Sequence, residues 1–539
     1  MARLSSGPRR ALRLVLAIGA GAALGLAYEP YDLPWIAPLS VAALLVALRG
    51  TSMRAGFLVG SGFGIAWYAV LVPWLTVIGG DAAIALAVLE GLFYGVFGML
   101  AGQALRIRGW LLWVPALWVA TEFATASVPF GGFPWGRLAW AFAGSDFGLY
   151  AAWVGVAGVS FLVALLGALL YSLVPAPHGP SRVPPRLAAL VAAAAVVGAA
   201  FALPAPGTSD ERTVTVATVQ GNVPGDGMDA LGEARTVTRN HLAATEQLAR
   251  DVASGSKARP ELVIWPENST DIDPFRDAET RADIEAAVKA VGVPILVGAV
   301  LQGPGPNERQ TTGVVWDPVG GPGQVYAKRH PVPFGEYIPF REQLLPYIKR
   351  LELVGRQTAP GTVPGVLRIG DVLYGDVICF EIAYDDVMDD VMDGGAQILV
   401  VQTNNATYGG TAQPDQQFAI TRLRAVETGR DVLVASTNGI SGVIHPDGAV
   451  EHKSGQGVAD VYVTEVPVRT SKTLATVLGP WPQWILTGLG LLGAVLALVH
   501  RRRRRLDEPA EVARGRRLPD SRDLQVAGAG AEKRRESDT

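Results

Sequence analysis

The chain has 539 residues, of which 49% are hydrophobic and 18% charged, and its formal net charge is −3. Its mean hydropathy is +0.27. A nearly neutral, strongly apolar chain is unusual for a soluble protein of this length. We therefore predict a chain divided between membrane and water.

Apolar segments long enough to cross a bilayer core of about 30 Å recur through the first two hundred residues and once near the end. Buried helices of a soluble protein, or a cleaved signal peptide at the first segment, account poorly for seven such segments in near succession. The sequence therefore predicts seven membrane-spanning helices within residues 11–209 and an eighth within 478–500. The segments are Ala11–Tyr28, Leu33–Leu48, Gly56–Ile78, Ala82–Leu105, Trp110–Ala126, Ala152–Leu173, Leu187–Leu203 and Trp484–His500.

The charges between these segments predict their orientation, because Lys and Arg collect in cytoplasmic loops. Residues 1–10 and every second connection are basic, ending with the run Arg501–Arg505, whereas the alternate short loops carry almost no net positive charge. We therefore expect a multi-pass protein of the cell membrane with both termini cytoplasmic. Residues 210–470 then face outward, and the basic tail 501–539, poor in large apolar residues, is predicted to be disordered in the cytoplasm.

The segment 210–470 alternates short β-rich runs with helical patterns, and several of the runs are apolar throughout, as in sheets covered on both faces. An α/β domain is therefore predicted, stabilised by its core alone, because the chain has a single cysteine and no internal disulfide is possible. The predicted strands are Thr213–Val219, Leu262–Trp265, Ile295–Val300, Val314–Trp316, Val372–Ile378, Ile398–Gln402, Val432–Ser436 and Val461–Val466. The predicted helices are Asp229–Val252, Ala278–Val291, Ile382–Met392 and Gln416–Thr428.

The single cysteine, Cys379, ends the buried strand VLYGDVIC, and a helix is predicted directly after it. The unpaired N–H groups of a helix N-terminus stabilise a thiolate, which is the nucleophilic form of cysteine. The alternative is a small apolar side chain that only packs in the core.

Two other strand ends favour the nucleophile. The strand in ELVIWPENS delivers Glu267, a candidate general base whose pKa partial burial would raise. A second strand ends at Lys328, followed by Glu336 in a Phe-Gly-Glu turn. An ammonium group beside a thiolate can hold the oxyanion of a tetrahedral intermediate.

Glu267 in WPE, Lys328 in YxK, and Cys379 followed by an aromatic residue and Glu381, in this order, resemble the carbon–nitrogen hydrolase (nitrilase) superfamily. The eight-helix frame makes residues 11–500 similar to the apolipoprotein N-acyltransferase family. Two features depart from that pattern: TNNATYGG replaces a more usual Asn-Asp-aromatic arrangement, and Phe380 stands where Tyr is common. Further matches are Phe133–Gly136, Trp118 with Glu122, Gln220–Asn222, Phe334–Glu336 and Arg422–Gly442.

The resemblance implies a nitrilase-like αββα sandwich and a ping-pong acyl transfer that needs no metal or cofactor. Glu267 would be the proton acceptor, Cys379 the nucleophile and Lys328 the oxyanion stabiliser, supported by Glu336, Glu381 and the aromatic residue after the cysteine. The donor would be a membrane phospholipid. The acceptor would be the N-terminal amine of a diacylglyceryl-cysteine lipoprotein.

Other patterns carry weaker hypotheses. His330 and His445 lie near the candidate site in sequence, but a Cys–His pair is not favoured. Gly488, Gly490 and Gly493 spell a dinucleotide fingerprint inside the last apolar segment, where small-residue helix packing is the better interpretation. The run Arg501–Arg505 follows a membrane helix directly, so it indicates topology and an anionic-lipid contact, with no nucleic acid as partner.

Three functional hypotheses remain open at this point: the acyltransferase, a membrane-anchored amidase or nitrilase, and a transporter with an inert exported domain. A transporter would place ionisable residues in its spans, and Glu90 and Glu122 are the main candidates. The segment Arg341–Gln357 is either an amphipathic arm at the lipid surface or a helix that covers the sheet.

Overall fold

The computed structural model describes residues 6–175, 186–206, 212–223, 225 and 235–515. Eight of the described helices pack side by side as a bundle. Four helical stretches are long and apolar enough to cross a membrane, namely Met53–Leu71, Gly80–Ala104, Asp146–Ser172 and Trp481–Arg504. The count of eight spans therefore stays a prediction. The bundle helices are α1 (Ser6–Gly25), α2 (Ile36–Leu48), α3 (Met53–Leu71), α4 (Gly80–Ala104), α5 (Trp110–Thr125), α6 (Ala151–Ser172), α7 (Arg186–Ala200) and α14 (Trp481–Gly515).

Small residues bring the bundle helices close together. A Cβ on Gly60 of α3 would lie 2.1 Å from the Tyr94 carbonyl oxygen of α4. On α14, a Cβ on Gly490 would lie 2.5 Å from the Ala116 carbonyl oxygen of α5, and one on Gly493 would lie 2.6 Å from a side-chain carbon of α5. Gly490 and Gly493 of the last helix therefore serve helix packing, as predicted, whereas no other helix among the described residues comes within 4 Å of a Cβ on Gly488.

The domain after the bundle contains two mixed sheets. In the first, the order is β13-β1-β2-β3-β4-β5, with β6 beside β4, and in the second it is β12-β11-β10-β9-β8-β7. The central pairs β1–β2, β2–β3, β8–β9 and β9–β10 are parallel. The strands are β1 (Thr213–Gln220), β2 (Leu262–Ile264), β3 (Ile295–Gln302), β4 (Glu308–Asp317), β5 (Gly321–Ala327), β6 (Gln357–Thr358), β7 (Val366–Ile369), β8 (Val372–Ile378), β9 (Ile398–Thr403), β10 (Val432–Ser436), β11 (Gly442–Ile444), β12 (Val450–Lys453) and β13 (Asp460–Pro467).

Helices cover the outer faces of both sheets, giving the predicted αββα sandwich. Side chains of both sheets, such as Ile264 and Val400, fill one core between them. Side chains of α8 and α9, such as Leu248 and Ile284, pack on the outer face of the first sheet. A third cluster runs without a break from the bundle through α12 to β9. The remaining helices are α8 (Thr236–Ala253), α9 (Ala278–Val291), α10 (Arg341–Leu344), α11 (Asp385–Asp393), α12 (Gln413–Thr428) and α13 (Leu474–Leu478).

Several elements differ from the sequence-based predictions. Strand β4 is longer than Val314–Trp316, because the polar residues before Val314 pair along the whole of β3. Strands β6, β7, β11 and β12 are short and were not predicted, since neighbouring strands hold them rather than an apolar pattern of their own. The helix predicted from Asp229 begins at Thr236, and its first six residues lie outside the described ones. The last helix continues to Gly515, so part of the predicted tail is helical, and residues 516–539 lie outside the description.

Candidate active site

Cys379 lies in a tight turn at the end of β8. Its φ is 58°, in the left-handed region that non-glycine residues adopt uncommonly and that often accompanies a functional constraint. Cys379–Ala383 form a 3-10 turn, and α11 begins only at Asp385. The helix predicted to start at Ile382 is therefore split, and the thiol lies on the turn between β8 and α11, half-buried.

The thiol is not activated by a helix N-terminus, contrary to the sequence-based expectation. Burial, followed by the nearby Glu267 carboxylate, raises the pKa of Cys379 to about 12, against the opposing effects of Lys328 and a hydrogen bond with Thr403. The resting form is therefore the thiol, because that pKa lies far above neutral pH. A nucleophilic thiolate needs a base that removes the proton during attack.

Glu267, Lys328 and Glu336 form a buried ionic cluster beside this thiol. The Lys328 ammonium lies 2.9 Å from Oε1 of Glu267 and 2.9 Å from Oε2 of Glu336. Its side chain is 1% exposed, so it has left water almost completely. The two carboxylates neutralise the Lys328 ammonium, whose burial without a partner would cost several kcal/mol. The three strand ends that were singled out in the sequence thus meet at one point.

The same cluster sets the protonation of its members. Burial raises the pKa of Glu267, and Glu336 raises it further, while Lys328 opposes both effects. The two carboxylates raise the pKa of Lys328 well above its usual value, despite burial. Lys328 is therefore a permanent cation, and Glu267 is a stronger base than an ordinary carboxylate. The backbone N–H of Asn404, at the end of β9, fixes Oε2 of Glu267 at 2.8 Å.

Glu381 joins the nucleophile turn to the segment that follows Lys328. Its side chain accepts the Tyr326 hydroxyl at 2.9 and 3.0 Å and the backbone N–H of Ile378 at 2.8 Å. It also accepts the backbone N–H groups of Arg329 and His330 at 2.6 and 3.1 Å. A fully buried carboxylate with several donors is rigidly held. Glu381 therefore fixes Cys379 relative to Lys328 without having to meet a substrate.

Phe380 attaches the nucleophile turn to the bundle. Its ring stacks on Trp135 with centroids 5.2 Å apart and planes within 7°, and on Phe133 with centroids 5.5 Å apart. Both tryptophan and phenylalanine belong to the Phe133–Gly136 stretch between α5 and α6. The residue beside the nucleophile is thus packed against the membrane part of the chain.

Gln416 of α12 is a residue that sequence reasoning did not single out. Its amide oxygen accepts the indole N–H groups of Trp74 and Trp135 at 3.0 and 2.7 Å. Its amide nitrogen donates to the carbonyl oxygens of Glu29 and Leu71, both at 2.9 Å. One buried side chain therefore joins three loops of the bundle to the hydrolase-like domain, and nothing in its local sequence distinguishes it from a surface glutamine.

The sidedness of the bundle agrees with the charge pattern. The loops around Glu29, Asp81 and Arg137 all contact the hydrolase-like domain, through Gln416, Arg350 and Asp385 respectively. The basic connections lie at the other end, where Arg49 donates to the Tyr171 hydroxyl at 2.8 Å and Arg106 to the Thr51 carbonyl oxygen at 2.6 Å.

Other singled-out residues have structural contacts. Oε1 of Glu122 accepts the Trp118 indole N–H and the Leu138 backbone N–H, both at 2.9 Å, so the WxxxE pair holds the loop that carries Trp135. Gln220 binds Ser441 and Ser454 between strands. His330 lies 2.8 Å from Asp386, and His445 lies 2.7 Å from Asp431, so each histidine has a carboxylate partner.

The segment Arg341–Gln357 does not cover the sheet. It contains α10 and a 3-10 turn, Lys349–Val354, neither of which has a buried residue, and it ends at Gln357, the first residue of β6. Tyr347 is 87% exposed, and Arg350 reaches both oxygens of Asp81 at 2.7 and 2.8 Å. The arm thus extends to the start of α4, and its contact with lipid stays a prediction.

The chain is similar to known families and proteins over most of its length. Residues 20–169 match the apolipoprotein N-acyltransferase N-terminal domain, and residues 215–475 match the carbon–nitrogen hydrolase family. An apolipoprotein N-acyltransferase of Mycolicibacterium smegmatis is 38% identical over 91% of this chain and 86% of its own length. One of Gloeobacter violaceus is 30% identical over 90% of this chain and 94% of its own. Among solved structures, an amidase from Nesterenkonia sp. covers 49% of this chain and 93% of its own, at 17% identity and a TM-score of 0.33.

Proposed function

Because the chain belongs to the apolipoprotein N-acyltransferase family, it is a membrane acyltransferase that uses a lipid donor and a lipoprotein acceptor, and we propose a course for the reaction at Cys379. The observation that carries the proposal is the ionic cluster of Lys328 between Glu267 and Glu336, beside a thiol whose pKa is raised by burial.

In the first step, Glu267 takes the proton of Cys379 as Sγ attacks the ester carbonyl carbon of a phospholipid. The carbonyl oxygen becomes an oxyanion, which the Lys328 ammonium and a backbone N–H beside the nucleophile stabilise. Collapse of the intermediate breaks the C–O bond of the ester. The leaving lysophospholipid oxygen recovers the proton from Glu267, and the acyl chain remains on Cys379 as a thioester.

In the second step, the N-terminal amine of a diacylglyceryl-cysteine lipoprotein attacks the thioester carbonyl carbon. Glu267 accepts the amine proton, the C–S bond breaks, and the Cys379 sulfur recovers that proton from Glu267. The products are an amide on the lipoprotein and the free enzyme. Glu336 holds Lys328 in place, and Glu381 holds the nucleophile turn, so both act as positioning residues. No step requires a metal or a cofactor.

The stacking of Phe380 on Trp135 supports a phospholipid donor that arrives from the bilayer, because the nucleophile turn packs against the helical bundle and not against a surface that faces water. We propose that the domain of residues 210–470 is exported and that both termini are cytoplasmic, because the connections at the opposite end of the bundle are basic. The lipid phase then supplies the donor directly to the exported face.

The experiment uses purified protein with phospholipid and no acceptor. We expect about one equivalent of lysophospholipid and then a stall, because the thioester needs an amine. The protein mass should rise by one acyl chain that hydroxylamine removes, and Cys379→Ala should acquire none. Since the chain has no other cysteine, no other thiol can carry the adduct.

Two outcomes would contradict the proposal. Continuous release of fatty acid without an acceptor would indicate an amidase-like hydrolase whose site admits water. Lipoprotein acylation without any adduct at Cys379 would show that the cysteine only packs.

A further inference from the structure

A cavity of about 340 Å³ lies between the bundle and the hydrolase-like domain. Its walls come from the end of α5, the start of α6, α11, the end of α12 and residues 475–484. Glu267, Lys328 and Cys379 do not line it. His330 and Tyr384, whose rings stack with centroids 4.1 Å apart, form part of its lining. The cavity is therefore separate from the proposed active site.

One side of this cavity is apolar and lies at the membrane end. Phe123, in the last turn of α5, meets Trp484, in the first turn of α14, with ring centroids 4.9 Å apart. Val154, Met388 and Met392 continue the apolar wall. Tryptophan at the end of a membrane helix marks the level of the lipid headgroups. The apolar side thus faces the depth at which lipid chains begin.

The other side is polar and has an unpaired acid. Asp385 binds Arg137 and Arg424, each at 2.7 Å, and Glu427 accepts from Arg424 and from the Val156 backbone N–H. Asp389 follows Asp385 by one turn of α11, on the same face. Within the described part of the chain Asp389 has no hydrogen bond or ion pair, and burial, followed by Glu427 and Asp385, raises its pKa to about 7.

The polar side also has an unpaired donor. Arg137 is 4% exposed and lines the cavity, and its Nε–H has no acceptor among the described residues. A buried guanidinium N–H without an acceptor is costly, so this donor indicates a ligand oxygen. The Asp389 carboxylate would bind a cationic group of a ligand, and the Arg137 guanidinium would bind an anionic oxygen. Asp389 lies one helical turn from Asp385, the residue that binds Arg137.

These features define an amphipathic, zwitterionic ligand. We propose that the cavity holds a resident phospholipid with a primary-ammonium headgroup, its ammonium on Asp389, its phosphate on Arg137 and its chains beyond Phe123 and Trp484. A lipid with an anionic glycerol headgroup is disfavoured, because the lining contains four carboxylates and only two arginines. A choline headgroup has no N–H to donate. The ammonium of a lipoprotein acceptor is disfavoured, because Cys379, which would carry the thioester, does not line the cavity.

The site adjoins the catalytic turn through α11. Asp385, the first residue of α11, follows the nucleophile turn after one residue, and its carboxylate belongs to the polar side of the cavity. A lipid bound there would fix the start of α11 against the bundle and thereby steady the turn that carries Cys379. The resident lipid is not consumed, because Cys379 does not line the cavity that holds it.

The test uses full-length protein in nanodiscs of anionic lipid with a trace of a dialkyl-ether phosphoethanolamine carrying a diazirine near its headgroup. The ether links cannot be transferred, so labelling is separated from catalysis. We expect photolabelling to map to residues 385–392 and 475–484. Asp389→Asn should reduce it about tenfold, because one hydrogen bond to a charged group is lost. Asp393→Asn, on the same helix but exposed and outside the cavity, should leave it unchanged.

Competition completes the test and does not depend on any variant folding. An excess of unlabelled dialkyl phosphoethanolamine should remove the label from residues 385–392, whereas the glycerol and choline analogues should not. Equal competition by the three headgroups, label confined to the surroundings of Cys379, or equal loss of label in Asp389→Asn and Asp393→Asn would each overturn the proposal. Displacement by a diacylglyceryl peptide but not by the phosphoethanolamine would assign the cavity to the acceptor instead.

Discussion

Replacing Glu267 by Gln tests whether this residue is the base. The substitution keeps the size of the side chain but leaves no carboxylate to accept the thiol proton. With the pKa of Cys379 at about 12, only about one molecule in 10⁵ is ionised at pH 7, which corresponds to about 7 kcal/mol. A positioned general base typically increases the rate of such a step by about 10²–10⁴-fold. Acylation of Cys379 at pH 7 should therefore fall by about that factor.

The pH dependence separates a lost base from a damaged site. In Glu267→Gln the thiolate must form in solvent, so the residual acylation rate should rise about tenfold per pH unit between pH 7 and 9. The wild-type rate should fall as the pH drops through the Glu267 pKa, which burial raises above the usual range of glutamate. Its acid limb should therefore lie at a higher pH than an ordinary carboxylate gives.

The measurement is the rate of acyl-adduct formation by intact mass, with unfolding temperature as a check on the fold. Glu261→Gln, at an exposed carboxylate just before β2, is the matched control and should acylate at the wild-type rate. A near-normal rate in Glu267→Gln at pH 7, or a slow rate that does not change between pH 7 and 9, would refute the assignment of Glu267 as base.

Three further predictions concern positioning, the joint between the two parts of the chain, and topology. Glu381→Gln places an amide N–H₂ opposite buried donors, so it should lower the free energy of unfolding by about 1–3 kcal/mol and slow formation of the acyl adduct. Thermal unfolding and intact mass measure the two effects, and no change in either would contradict the prediction. Gln416→Ala leaves two indole N–H groups and two carbonyl oxygens without partners, so it should lower the free energy of unfolding by about 3–5 kcal/mol. The control Gln247→Ala, at an exposed position, should leave the free energy of unfolding unchanged in the same thermal measurement. A reporter active only outside the cytoplasm should work when inserted near Gly303 and fail after Arg505; the reverse pattern would overturn the charge argument.

Strand ends were the most predictable part of the site. Glu267 and Lys328 follow β2 and β5 of the first sheet, and Cys379 follows β8 of the second sheet. The two sheets bring these three strand ends together, while the catalytic roles of the residues stay predictions. The αββα sandwich followed from the resemblance and from strands that are apolar on both faces.

What the sequence did not reveal depends on contacts between distant segments. The predicted helix dipole at Cys379 was wrong, because apolar periodicity cannot distinguish a 3-10 turn from the first turn of a helix, and burial dominates the pKa of the thiol. Gln416 escaped notice because its four partners lie in three separate loops. The limits of the domains and the number of spans remain predictions.

The groove on α5 that receives Gly490 and Gly493 has a consequence for biogenesis. During synthesis, α5 emerges with its neighbours, but α14 is made only after the whole hydrolase-like domain has followed. For the translation time of some hundreds of residues, at about 5–20 residues per second, this surface of α5 has no protein partner and must be covered by lipid or by the insertion machinery. In a Cys379→Ala background, a ribosome stalled before Trp481 should therefore hold a membrane intermediate in which a cysteine introduced at Ala116 reacts with a lipid-soluble maleimide. Release of the full chain should protect that cysteine.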